Sequence, residues 1–295
     1  MHICRMKTTI KNTLIFLSFC VAILLSCNTK KEKKVTVKQP PQRQQPKAVT
    51  YQLANAKQWL VADTTGDSSK LQIILAINRA DKDTKAKMDT VIIPTDMTGD
   101  IAYYLPFPLN VPYLADINKI VFFSYPTQTF AAYENGILMY TGPTNMGSKK
   151  HPTPTGLFYA NWKAEETTST FNDEWELKWN FNIENKEGVG WHQYSLPGYP
   201  ASHSCLRMQE KDARYMYDWA DQWILKGTET ILANGTPVIV FGSYNFDAPK
   251  PWLQLITNPH ALDITEAEIQ QQTTPFLTAI LAEQQKRETV AADKK

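Results

Sequence analysis

Three short apolar runs between residues 120 and 142 constrain this chain most. They are Ile120–Ser124 (IVFFS), Thr129–Tyr133 (TFAAY) and Ile137–Tyr140 (ILMY). Each is too short for a stable helix and rich in β-branched or aromatic residues, the signature of buried strands. Between the last two stands Glu134-Asn135-Gly136, and an Asn-Gly pair supplies the positive φ angles of a tight hairpin. Leu157–Trp162 and Thr236–Phe241 (TPVIVF) continue the strand pattern. Trp175–Phe181 opens a second hairpin-like region that turns at Gly188 and Gly190. Gly142–Gly156 holds three prolines and reads as a loop. One strong helix is predicted over Glu210–Leu225, where Ala213, Met216, Tyr217, Ala220 and Ile224 recur at helical spacing. These runs together imply a mainly β domain with some helix.

The flanks differ in character. Residues 50–97 read as a small αβ unit, with an apolar run at Leu71–Ile77 that could be helix or strand and a short strand at Asp89–Pro94. After residue 250 the chain reads as a helical extension, 251–295. Asp263 or Thr265 can cap a helix with Glu266 or Glu268 three residues on, Pro275 divides it, and the last ten residues look frayed.

The N-terminus reads as a targeting segment. Arg5, Lys7 and Lys11 precede an apolar run, Leu14–Leu25, that is shorter than the roughly 20 residues of a membrane span. The run ends in Leu24-Leu25-Ser26-Cys27, which resembles the lipobox of bacterial lipoproteins. On that resemblance residues 1–26 are a signal peptide and Cys27 is lipidated, placing the protein on the cell envelope, anchored to a membrane and facing the periplasm. Residues 27–49, rich in Lys, Gln and Pro, read as a disordered tether. Ten of the 31 basic and one of the 29 acidic residues fall in the first 50, a net of +9, which leaves the rest of the chain at −7. The overall +2 therefore hides an acidic body, which argues against nucleic acid as a partner.

Chemistry concentrates in Gly190–Met208, GWHQYSLPGYPASHSCLRM. It holds two of the five histidines and the only cysteine beyond the first 27 residues. A lone cysteine near a histidine is a candidate thiol nucleophile, because an imidazole can take the thiol proton and return it. After processing of the leader, Cys205 has no intramolecular partner in an oxidising compartment, so it is either a buried inert thiol or a kept reactive one. A zinc site built from His192, His203 and Cys205 lacks a fourth ligand at convincing spacing. A papain-like site would place the cysteine before the histidine.

These residues carry a family resemblance. Ser202-His203-Ser204-Cys205-Leu206-Arg207-Met208, with His192 upstream, resembles the catalytic motif of the YkuD-type L,D-transpeptidases. The stretch opening KIVFFSYPTQTFAAYENG, and the Thr153-Pro154-Thr155-Gly156 turn, resemble the family's first half. The match runs over residues 117–242. ILAINRADKDTKAKMDTVIIP, residues 74–94, also resembles the second half of a LysM glycan-binding module.

The resemblance implies an L,D-transpeptidase-like β-sandwich catalytic domain over 98–250, preceded by the αβ subdomain and followed by the helical tail. It implies Cys205 as nucleophile and His192 as general acid/base, with the Gln193 carbonyl orienting the imidazole. Backbone N–H groups around Ser204, Cys205 and Leu206 would form an oxyanion hole. Arg207 would support the loop or meet a substrate carboxylate, and His203 would be a structural or substrate-contacting partner. The implied reaction is acyl transfer between peptidoglycan stem peptides, releasing D-alanine and making 3→3 cross-links, with no cofactor and no metal. The same thioester could instead pass to water or to a protein amine, and a non-catalytic, lipid-anchored peptidoglycan-binding protein is the further alternative. Two departures stand out. Ser204 occupies the place of the family's usual glycine, and the thirteen-residue interval from His192 to Cys205 is short, with Pro197-Gly198 as its expected turn.

Overall fold

The computed structural model describes residues 40–60, 69–169 and 176–293. The expected signal peptide, Cys27 and the tether up to residue 39 lie outside the described residues, as does Trp175.

The last part of the expected tether is not free. Arg43 donates to the Leu138 carbonyl at 2.6 Å and its Nε lies 3.6 Å from Asp100. The Lys47 N–H donates to Asp96 at 2.9 Å. Residues 43–47 therefore run along the body, and disorder over the whole of 27–49 is corrected for this stretch. A polar composition does not exclude pinning by backbone acceptors on a folded neighbour.

Residues 50–97 form a β-α-α-β unit. Strand β1 (Tyr51–Asn55) leads through α1 (Ala56–Leu60) to α2 (Ser69–Ile77) and β2 (Thr90–Pro94), and β1 pairs antiparallel with β2. The ambiguous run Leu71–Ile77 is helix. Asn78 then ends α2: its side chain donates to the Ile74 and Ile92 carbonyls and accepts from the Ile92 N–H. A single amide thus ties the helix end to β2. Leu71, Ile74, Leu75, Val91 and Ile93 make a small core of their own.

The larger part is a β-sandwich. One sheet has five strands. They are β3 (Ile120–Ser124), β4 (Thr129–Glu134), β5 (Ile137–Pro143), β6 (Gly156–Tyr159) and a late strand, Pro237–Phe241, in the order β5-β4-β3-late strand-β6. The β4–β5 hairpin turns on Asn135 and Gly136, both at positive φ (48° and 79°). The other sheet contains β7 (Lys163–Thr168), β8 (Glu176–Glu184), β9 (Val189–Gln193) and β10 (Leu206–Met208), in the order β10-β9-β8-β7. Strand β7 carries no strand signal in its sequence, because KAEETT is polar and partly exposed. Gly190 lies inside β9 rather than at the turn. A Cβ there would stand 2.5 Å from the Phe181 carbonyl, so glycine allows β8 and β9 to approach.

The five-stranded sheet is buried on both faces, which is why IVFFS shows no alternation. Val121 and Phe123 face the second sheet, meeting Phe181, Trp191, Leu206 and Met208. Ile120 and Phe122 point the other way, into a core closed by Ile264, Ile269 and Ile280 of the C-terminal segment. The helical extension therefore seals the sandwich rather than trailing from it.

Helix α3 is shorter than the sequence suggests, Glu210–Trp219. Its end is set by tertiary contacts: Trp219 Nε1 donates to Glu134, Lys119 donates to the Trp219 carbonyl, and the Asp221 N–H donates to Thr236. The chain then forms a hairpin of β11 (Ile224–Lys226) and β12 (Thr230–Ala233) before the late strand, β13. Helix α4 (Glu266–Thr273) carries the capping box, with Thr265 and Glu268 bonded reciprocally. Pro275 sits in a 3-10 turn between α4 and α5 (Leu277–Ala292). The expected fraying is corrected, since α5 continues to Ala292, and Arg287 on it donates to the Gln222 and Asn234 carbonyls.

Asp212, in the first turn of α3, is buried. Its Oδ1 accepts from Tyr140 Oη at 2.8 Å, while Oδ2 has no hydrogen-bond partner. Burial raises its pKa from 3.8 to about 6. The folded state therefore holds this proton more tightly than the unfolded chain. Stability from this group is fully present below pH 3.8 and lost as the pH rises through about 6. Asp212→Asn keeps an acceptor for Tyr140 and removes the charge. It is expected to stabilise the protein above pH 7 by about 3 kcal/mol, with the gain vanishing near pH 4, as urea unfolding at the two pH values would show.

Candidate active site

The parallel pairing of β9 with β10 builds the site. Trp191 stands opposite Leu206, His192 opposite Arg207 and Gln193 opposite Met208. Side chains alternate across a strand, so Trp191 and Leu206 enter the core together, while His192 and Arg207 share the other face. Cys205 stands just before β10 with the parity of Arg207. The spacing Cys-x-Arg thus brings both side chains to the histidine's face, and Ser169, Leu177, His192, Tyr194, His203, Cys205 and Arg207 line one narrow pocket of about 20 Å³.

His192 is buried, and its Nδ1 lies 2.9 Å from the Gln193 carbonyl oxygen. A carbonyl only accepts, so Nδ1 carries the hydrogen and Nε2 is the bare base. Burial lowers the imidazole pKa to about 4, with Arg207 adding to the same direction and the Gln193 bond opposing it. Cys205 is a free, partly buried thiol. Burial raises its pKa, while a backbone hydrogen bond from Gly190 and the charge of Arg207 pull it down. At neutral pH the resting pair is therefore neutral thiol and neutral imidazole.

Arg207 lies with its guanidinium 4.5 Å from the centre of the Tyr194 ring, and Tyr194 in turn meets His192 edge-on at 5.9 Å. Among the described residues no carboxylate forms an ion pair with Arg207. His203 is exposed at the mouth and pairs with His151, ring centres 4.6 Å apart. Desolvation and then the His151 imidazole lower its pKa. The structure thus gathers Cys205, His192, His203 and Arg207 around one pocket, with Gln193 outside its lining and touching His192 through the backbone carbonyl. Leu206 is different: its side chain is core, and only its backbone is near the thiol.

Ser204 sits at φ +80°, the left-handed region that costs an L-residue about 1–2 kcal/mol. The loop around it supplies the constraint. The Ser204 carbonyl accepts from Thr153 Oγ1 at 2.8 Å, and the Cys205 carbonyl accepts from Ser202 Oγ at 2.6 Å. Ser204→Gly is expected to raise stability by about 0.5–1 kcal/mol with the site geometry kept. A urea midpoint at or below that of the parent would contradict this.

Several supports carry no signal as isolated residues in the sequence. Asn145 pairs with Arg207 through both backbone groups, and its side chain holds Ala201 and Tyr199. Buried Gln128, at φ +50°, accepts from the Met146 N–H. The loop 194–201 between His192 and Cys205 turns at Gly198 (φ +81°). It is pinned by the αβ unit: Ala80 bridges Pro197, the Leu196 N–H donates to Asp81, and Thr84 donates to the Leu196 carbonyl at 2.8 Å.

A thiol and a neutral imidazole thus line one pocket on a β-sandwich, residue types that together can carry nucleophilic chemistry. Residues 118–240 match the family model of the L,D-transpeptidase catalytic domain (YkuD). Similar solved structures include an L,D-transpeptidase from Stackebrandtia nassauensis, at 21% identity over 43% of this chain and 57% of that one, TM-score 0.35. Another is an L,D-transpeptidase from Mycobacterium smegmatis, at 21% identity over 43% and 59%, TM-score 0.34. A third is L,D-transpeptidase 3 from Mycobacterium tuberculosis in complex with a faropenem-derived adduct, at 19% identity over 43% and 61%, TM-score 0.34. This chain spans less than two thirds of the length of each. No curated protein matches the chain.

Proposed function

We propose that this protein is a peptidoglycan L,D-transpeptidase with Cys205 as nucleophile and His192 as general acid/base. The observation that carries the reading is the imidazole tautomer: Nδ1 is committed to the Gln193 carbonyl, so Nε2 is the nitrogen free to receive the thiol proton. In the proposed sequence the Cys205 sulfur bonds to the carbonyl carbon of the diamino-acid residue in a tetrapeptide stem, and its proton passes to His192. The C–N bond to terminal D-alanine breaks, and His192 returns the proton to the leaving amine. The amine of a second stem then attacks the thioester, gives its proton through His192 to the departing sulfur, and leaves a 3→3 cross-link. Backbone N–H groups around Ser204, Cys205 and Leu206 serve the oxyanion. Arg207, lacking an anionic partner among the described residues, is placed to meet a stem carboxylate. The reaction needs no metal or cofactor.

We further propose that the chain is lipidated at Cys27 and held on the cell envelope facing the periplasm. The lipobox-like Leu24-Leu25-Ser26-Cys27 after a short apolar run supports this.

The test is incubation of the purified protein with a disaccharide–tetrapeptide and mass analysis of the products. Dimers linked between two diamino-acid residues, with one D-alanine released per bond, are expected. Release of D-alanine with tripeptide monomers alone would reassign the protein as a hydrolase, and an unchanged substrate would remove the enzymatic reading.

A further inference from the structure

Beside the catalytic pocket lies a much larger cleft of about 570 Å³, walled on one side by Asp81, Lys82 and Asp83 of the αβ unit and on the other by Glu210 and Lys211 of α3. Tyr194 lines both the cleft and the catalytic pocket, so the two spaces adjoin across one ring. Hydrogen bonds tie the walls together. Asp81 is spent on structure, accepting from the Leu196, Asp83 and Thr84 N–H groups. Gln209, just before α3, donates to the Ala80 carbonyl at 3.0 Å. The cleft is therefore preformed, and its αβ wall is fixed to the same loop that joins His192 to Cys205.

With Asp81 engaged, the exposed charges left on the walls are Lys82, Lys211 and Arg214 against Asp83 and Glu210, and among the described residues none of the five forms an ion pair, Arg214 lying instead over the Trp179 ring. Three unneutralised cations and two unneutralised anions facing one polar cleft suit a ligand that itself carries both signs with carboxylates in excess. A nucleic acid, a polyanion or an apolar ligand fits such walls poorly. For a transpeptidase, the second substrate is such a ligand: a stem peptide with a free side-chain amine and free carboxylates.

We propose that this cleft is the acceptor subsite, and that the αβ unit completes it. Lys82 and Lys211 take the carboxylates of the acceptor stem, Asp83 and Glu210 draw its ammonium end inward, and Tyr194 is the threshold across which the amine reaches the acyl group on Cys205. This inference rests on the transpeptidase reading for the identity of the ligand. The charged wall residues Lys82, Lys211, Asp83 and Glu210 act on acceptor binding and not on the first acyl transfer.

The experiment uses the full chain and two readouts. First, a tripeptide stem ending in a diamino acid with its side-chain amine free is titrated by calorimetry into the Cys205→Ala protein, which cannot consume it. The double variant Lys82→Glu/Lys211→Glu is expected to weaken its dissociation constant on the order of tenfold, and added salt to weaken the parent's binding. Second, the rate of Cys205 acylation by a carbapenem, a strained acyl donor, is expected to be the same with and without the double substitution. An unchanged dissociation constant overturns the proposal. So does a matching fall in acylation, which would make the lysines supports of the catalytic loop. If the parent is not acylated at all while the tripeptide affinity still falls tenfold, the thiol-enzyme reading fails and the cleft assignment stands as a stem-peptide site.

Discussion

Replacing His192 by alanine is expected to slow acylation of Cys205 by a carbapenem by about 10²–10⁴-fold, the usual worth of a positioned general base. The resting pair is the reason. Burial keeps the Cys205 thiol protonated and holds His192 neutral with a pKa of about 4. Attack therefore needs proton transfer within the site, because no preformed thiolate is waiting. The same resting state sets the pH profile. An ordinary histidine base would lose activity near its usual 6.5, whereas His192 should stay competent down to roughly pH 4–5. The acylation rate should therefore be nearly flat from about pH 5.5 to about pH 7.5. A rate that drops tenfold between pH 7 and 6 would place the controlling ionisation elsewhere. The lowered pKa also carries a stability sign. Since the folded state resists protonating His192, stability is lost as the pH falls from 6.5 toward 4. Asp212 has the opposite slope over nearly the same range, so the two partly cancel, and Asp212→Asn should leave a protein that is visibly more acid-sensitive.

The second large effect is expected at Gly147. A Cβ there would stand 2.2 Å from the His151 carbonyl oxygen and 2.4 Å from the Thr153 nitrogen, both backbone atoms with no side chain to move aside. The Gly147 N–H donates to Thr153 Oγ1 at 2.8 Å, its carbonyl accepts from Tyr125, and Thr153 passes the constraint to the Ser204 carbonyl. Gly147→Ala is therefore expected to cost about 3 kcal/mol or more, read as a lowered urea midpoint. Because the displaced atoms lead directly to Cys205, acylation should slow at least tenfold in the variant that remains folded. Gly156→Ala is the comparison, since a Cβ there meets nothing within 4 Å and only its φ of +128° resists the change.

The fold is legible in the sequence where local chemistry decides. The Asn135-Gly136 turn, the capping box of Thr265 and Glu268, and the strands IVFFS and PVIVF come from residue type alone. The site is legible because Cys205 is the only thiol of the body and stands close to His192. Features that depend on partners distant in sequence are not legible. The polar run KAEETT becomes β7 only because β8 pairs with it. Helix α3 stops at Trp219 because Glu134, Lys119 and Thr236 hold residues 219–221 in place. Asn145 and Thr153 matter through hydrogen bonds to the 199–207 segment, more than fifty residues away, and Gln128 through its bond to Met146 beside that segment, and no periodicity marks such contacts. Asp81 is the clearest case: it looks like one more charge in a polar linker, yet it holds the loop between His192 and Cys205 by accepting from the Leu196 N–H.

The central claim is that Cys205, activated by His192, is the acyl-accepting nucleophile. Intact-mass analysis after exposure to a carbapenem tests it most directly. The predicted result is one adduct of the full drug mass per chain, mapped by peptide digestion to the segment containing Cys205, absent in Cys205→Ala and slowed in His192→Ala. An unmodified parent protein, or an adduct that persists in Cys205→Ala, would contradict it.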